Sequence, residues 1–197
     1  MRRVMLGLVL SFTLSSPAIS GQLEEGIAAS RGADYATALR LLRPLADQGN
    51  PIAQSQLGVM YAEGLGLPRS YDEAIKWYRK AADQANAFAQ SQLGVLYAEG
   101  RGLPQNYEEA IKWSRKAADQ GEASAQFNLG LSYQYGKGVP QDYVQAHKWA
   151  NLAAARALAS QPELHANAVK LRDFIAEKMT PAQIAEAQRL ASEWRAK

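Results

Sequence analysis

Residues 89–121 read AQSQLGVLYAEGRGLPQNYEEAIKWSRKAADQG, and residues 53–85 read AQSQLGVMYAEGLGLPRSYDEAIKWYRKAADQA. Extended by three residues each, the two windows are identical at 27 of 36 positions without a gap. A third copy starts at Ala125. Leu57, Leu93 and Leu129 keep one register, as do Gly58, Gly94 and Gly130, Tyr61, Tyr97 and Tyr133, and Trp77, Trp113 and Trp149, each set spaced by 36 residues. Upstream, Tyr35, Ala38 and Ala46 hold the places of Tyr71, Ala74 and Ala82, so residues 34–49 are the back half of an earlier unit. Self-similarity at such a period marks an array of stacked structural units.

Within a unit, Ala53, Leu57, Gly58 and Tyr61 recur at helical spacing and predict a first helix over residues 51–63. Gly64-Leu65-Gly66-Leu67-Pro68 stops it, because glycine supplies the left-handed turn and proline cannot continue a helix. Ser70, Asn106 and Asp142 are favoured N-caps, and Glu73, Glu109 and Gln145 stand three residues on, which predicts a reciprocal capping box in every unit. Asp34 caps the earlier copy without the matching acid. Ala74, Trp77, Ala81 and Ala82 form the buried stripe of a second helix. The unit is a helical hairpin and the fold class all-α.

The unit closely resembles the Sel1-like repeat, a relative of the tetratricopeptide repeat, on the pattern LGxxYxxGxGxPxxYxxAxxW present in all three copies. The resemblance implies an α/α right-handed superhelix acting as a scaffold or adaptor for protein complexes, often exported in bacteria. Two departures stand out. Some exported members carry a disulfide in each repeat, whereas this chain has no cysteine, and the first unit has Ser30-Arg31-Gly32-Ala33 in place of the Gly-x-Gly-x-Pro turn. The expected organisation is a degenerate repeat or cap over residues 21–50, repeats over 51–86, 87–122 and 123–158, and a capping helix pair over 159–197. Leu164, Ala168, Leu171 and Ile175 mark the first helix of that pair, and Thr180-Pro181-Ala182-Gln183 opens the second.

Residues 1–20 are expected to be a signal peptide cleaved after Ser20. Met1-Arg2-Arg3 precedes an apolar run that is too short to span a bilayer, and Ala18-Ile19-Ser20 places small residues at a cleavage site. The mature protein is then periplasmic or secreted, with no membrane insertion. The lack of cysteine removes a lipid anchor on a post-signal Cys, a disulfide framework and a thiolate metal site. Without Arg2 and Arg3, 20 basic residues face 19 acidic ones, a balance that calls for no nucleic acid.

Residues repeated in every unit do structural work; catalysis needs a group that occurs once. His147 stands where Ile75 and Ile111 stand and reads as a partly buried, satisfied histidine, and His165 lies in the cap. Neither has metal-ligand spacing, so no catalytic residue, metal or cofactor is assigned. Asp72-Glu73 and Glu108-Glu109 are explained by capping. Lys76, Lys80, Lys112, Lys116 and Lys148 form a solvated outer face. An envelope-polymer hydrolase and a structural stabiliser of an envelope complex are the alternative functions, the first requiring a single-copy acid or nucleophile.

The positive signal lies on the first helices. Val59 sits about 200° around the helix from Leu57, and Val95 and Leu131 repeat it. One turn back stand Ser55, Ser91 and Phe127; one turn forward of Leu131 stands Tyr135. By resemblance to tetratricopeptide arrays this face lines a concave groove, so these seven residues are the expected contacts for a protein or peptide partner. Gly58, Gly94 and Gly130, inside helices, are expected to mark close helix approach. Burial of the tryptophans between units is expected to make Trp113→Ala cost about 3–5 kcal/mol.

Overall fold

A computed structural model describes residues 17–157 and 161–196, which form ten helices and no strand. In chain order they are α1 (Pro17–Arg31), α2 (Tyr35–Asp47), α3 (Pro51–Glu63), α4 (Tyr71–Ala82), α5 (Ala87–Glu99), α6 (Tyr107–Asp119), α7 (Ala123–Tyr135), α8 (Tyr143–Arg156), α9 (Pro162–Ala176) and α10 (Pro181–Glu193). The first eight pair as hairpins, and each second helix packs against the first helix of the next hairpin, building a helical repeat superhelix. Most of the expected signal segment lies outside the described residues. Among the described helices, none is long and apolar enough to cross a membrane.

The helix chemistry differs by layer. α4 and α6 bury one stripe and expose the other, whereas α3 and α5 are apolar on nearly every side because they lie between two second helices. Ser70, Asn106 and Asp142 cap as expected, accepting the N–H of Glu73, Glu109 and Gln145. The reciprocal half of the capping box is missing in the repeats. The N–H groups of Ser70, Asn106 and Asp142 donate instead to the carbonyls of Tyr61, Tyr97 and Tyr133, stitching each loop back onto its first helix. Glu73 and Glu109 are thereby free to pair with Lys76 and Lys112. Among the described residues the one complete box, Thr180 with Gln183, opens α10.

Gly64, Gly100 and Gly136 take the left-handed C-cap conformation. The second glycine of each loop has a further duty: a Cβ on Gly66 would stand 2.6 Å from Tyr35 Cβ, and one on Gly102 2.5 Å from Tyr71 Cβ, so each loop rests on the preceding hairpin. The first hairpin has no such loop. Three residues, 32–34, join α1 to α2 where seven, 64–70, join α3 to α4.

Trp77 and Trp149 are each 4% exposed, but Trp113 is only partly buried. α9 and α10 do not pair as a hairpin; both pack on α8, with α9 also touching α7. Trp194 at the end of α10 meets Trp149 edge to face, ring centroids 6.5 Å apart. The driving surface is the outer side of Trp149, which in the preceding unit stays open over Trp113.

Candidate interaction groove

Two ladders hold the first helices in place. Gln54, Gln90 and Gln126 are buried, and each Nε2 donates to the carbonyl of Ala46, Ala82 or Ala118 at the end of the preceding helix. Gln84 and Gln120 then donate to the side-chain oxygens of Gln54 and Gln90 at 2.9 and 2.8 Å. Arg156 replaces that donor in the last unit and lies over Trp194 instead, 4.6 Å from the ring centroid, which leaves Gln126 Oε1 without a partner. On the other edge, Arg43, Arg79 and Arg115 donate to the hydroxyls of Tyr61, Tyr97 and Tyr133. The glutamines recur every 36 residues, so the repeat itself carried this signal, unread.

The concave face is narrower than the sequence pattern suggests. Ala53, Gln54 and Ser55 are three consecutive buried residues, so this turn of α3 is covered on most sides. Ser55 is 3% exposed, its hydroxyl donating to the Ile52 carbonyl, and Ser91 is 1% exposed. Both serines therefore leave the list of groove contacts. Phe127 leaves it too, packed against Ala153, Ala154 and Ala168, because α9 covers that part of α7.

Val59 is partly buried against Tyr78 in the core between α4 and α5. Val95, Leu131 and Tyr135 do come together, around a cavity of about 290 Å³ between α5 and α7 with Gly94 and Ser114 among its lining. Leu131 also touches the α8–α9 core, and Tyr135, 61% exposed, stands at the rim beside Lys137.

The helical glycines are sites of close approach. A Cβ on Gly58 would lie 2.5 Å from the Tyr78 ring, and on Gly94 2.5 Å from Ser114 Oγ. Leu57, Leu93 and Leu129 are fully buried; Tyr61, Tyr97 and Tyr133 are partly buried, with hydroxyls held by the arginine ladder. On the outer face the lysines are not all simply solvated: Lys80, Lys116 and Lys148 place their ammonium groups 4.0, 4.3 and 4.4 Å from the Trp77, Trp113 and Trp149 centroids.

His147 is buried but not satisfied: its Nδ1 has no partner, and nor does Oε1 of the buried Gln134. Alanine and isoleucine occupy these two positions in the earlier units. Burial first, and then the Arg172 charge, push the His147 pKa down, while Asp173 acts weakly the other way. A lowered folded pKa means that the unfolded chain binds the extra proton. The contribution of His147 is therefore constant above about pH 7 and declines as pH falls through about 6.5, the ordinary imidazole value. His147→Ile, which removes an unpartnered polar group, is expected to gain about 1 kcal/mol at pH 7 and to flatten the decline between pH 7 and pH 5. Urea denaturation at both pH values checks this, and an unchanged slope would contradict it.

Among the described residues, no group of three or more His, Asp or Glu side chains gathers as a metal site. A family model described as Sel1 repeat matches residues 23–50, 51–86, 87–122 and 123–158. Among solved structures, the chain is similar to a Sel1 repeat protein from Oxalobacter formigenes, with 32% identity and a TM-score of 0.63, covering 87% of this chain and 74% of that one. It is also similar to a protective antigen present in uropathogenic Escherichia coli strains displaying an SLR fold, with 26% identity and a TM-score of 0.61 over 89% of this chain. This chain spans 45% of that antigen's length. No curated protein matches the chain in sequence.

Proposed function

The chain belongs to the Sel1 repeat family, and from that premise we propose that it is an exported adaptor holding a peptide or protein segment in the groove along α5 and α7. Repeats of this family are generally protein–protein interaction modules and typically non-catalytic. The observation that carries the proposal is the cavity bounded by Val95, Leu131 and Tyr135, a mostly apolar recess on a helical frame. Such recesses take side-chain anchors of amphipathic or extended peptides, while the rest of the contact excludes water.

Val95→Glu with Leu131→Glu places two carboxylates in this recess and is expected to lower partner affinity at least 100-fold with helical content unchanged. Circular dichroism and a pull-down from the native envelope check the two halves. Undiminished capture would remove the groove as the site.

Export is the second part of the proposal, resting on Met1-Arg2-Arg3 and the apolar run after it. The mature protein recovered from a periplasmic fraction is expected to begin at Gly21 by intact-mass measurement. A full-length mass in the cytoplasm alone would contradict export.

A further inference from the structure

The open recess exists because one seat in the array lacks the side chain that fills it elsewhere. In every hairpin a glycine of the first helix leaves a seat faced by residue 42, 78, 114 or 150 of the second helix. Leu42 fills it over Gly26, where a Cβ would stand 2.8 Å from Leu42 Cδ2. The buried Tyr78 fills it over Gly58, in one core cluster with Val59 and Ala62. In the last hairpin the seat residue is the small Ala150, and α9 supplies the buried Leu171, whose Cδ2 stands 3.3 Å from the Cβ position of Gly130.

Only the hairpin of α5 and α6 has neither. Ser114 brings a hydroxymethyl group where Tyr78 brings a phenol, and the cavity of about 290 Å³ opens there. Ala98 is partly exposed although its counterpart Ala62 is buried in the Tyr78 core cluster. The recess is thus a tyrosine-shaped seat lined by Gly94, Val95, Ala98, Ala110 and Leu131. At its mouth Lys137 lies 5.6 and 5.8 Å from the ring centroids of Tyr107 and Tyr135, so an entering ring joins an existing aromatic and cationic cluster.

We propose that this seat binds an aromatic side chain of tyrosine size from the partner peptide, which supplies in trans the ring that Tyr78 supplies in cis. The proposal rests on the groove reading and adds the anchor's identity. An aromatic ring fits because the corresponding position one unit upstream, Tyr78, already buries one. Ser114, Asn128 and Ser132 in the same lining offer hydrogen-bonding partners for the hydroxyl of such a ring.

The test titrates the ¹⁵N-labelled mature protein with p-cresol, the tyrosine side chain alone. Saturable shifts are expected at the amides of Gly94, Ala98 and Ser114, with a Kd on the order of 1 mM for so small a ligand. Ser114→Tyr, which copies the upstream unit, is expected to fold with an equal or higher Tm and to weaken p-cresol at least tenfold. Absent shifts, or shifts undiminished in Ser114→Tyr, would overturn the seat. A displayed library of random peptides, selected on both proteins, separates the two readings. Aromatic peptides that bind the parent and lose Ser114→Tyr support the seat. Peptides that bind both equally overturn it and leave the groove reading standing. If no peptide binds while p-cresol is still held at Ser114, the seat stands as a site and the groove reading falls. Self-association of the parent, abolished in Ser114→Tyr, would assign the seat to a second copy and overturn the proposal.

Discussion

Replacing Trp149 with alanine is expected to lower stability by about 3–5 kcal/mol, the range for emptying a buried tryptophan site. That corresponds to a Tm drop of about 6–20 °C for a chain of this size. Trp149 sits in the core with Leu129, Leu152 and Ala191, so it joins α7, α8 and α10 at once, and Trp194 closes its outer side. Trp113→Ala is expected to cost about half as much, because its outer side carries little beyond Lys116 and part of the ring already meets water. Interactions in a solenoid are nearest-neighbour, so the Trp149 loss should concentrate in α8 to α10. Hydrogen exchange should show those helices opening first. A Trp113→Ala variant less stable than Trp149→Ala would contradict this assignment of burial.

Gly102→Ala is expected to cost about 2–4 kcal/mol, from two separate causes. With φ at +72° the backbone is left-handed, which an alanine adopts at about 1–2 kcal/mol. Its Cβ would also stand 2.5 Å from Tyr71 Cβ and 3.0 Å from Ile75 Cδ1 of the preceding hairpin, and such overpacking costs typically 1–3 kcal/mol. Gly100→Ala is the control. Its φ is +69°, but the nearest atom to its Cβ is Gln105 Cβ at 3.2 Å, within the same loop. Urea denaturation should rank Gly102→Ala as the more damaging by at least 1 kcal/mol. Equal losses would mean that the loops do not couple the hairpins.

The helices were legible because the repeat states their period several times over. The first helix expected over residues 51–63 is α3 as observed, and the caps at Ser70, Asn106 and Asp142 hold their N3 amides. What recurrence reveals is the frame, and the arrangement at the ends is not set by it. α10 packs on α8 because the outer side of Trp149 offers an aromatic surface, a fact visible only in three dimensions.

The groove residues were partly misplaced for a related reason. A helical wheel treats every turn alike, so it put Ser55 beside Val59, but in the packed array Ser55 is buried while Val59 is only partly so. Phe127 was lost to the groove because α9 lies over it. The most informative position carried a sequence signal that anchors cannot give. Residues 42, 78, 114 and 150, in register across units that share their anchors, are Leu, Tyr, Ser and Ala, and the frame opens at Ser114, where no neighbouring helix fills the gap as Leu171 does beside Ala150.

A photo-reactive benzoylphenylalanine placed at residue 95 and, separately, at residue 112 on the outer face tests the central claim in the producing cells. The account predicts a discrete covalent adduct with one polypeptide from position 95 and none from position 112. Adducts from position 112 alone, or from neither position, would contradict a protein that works through its α5–α7 groove.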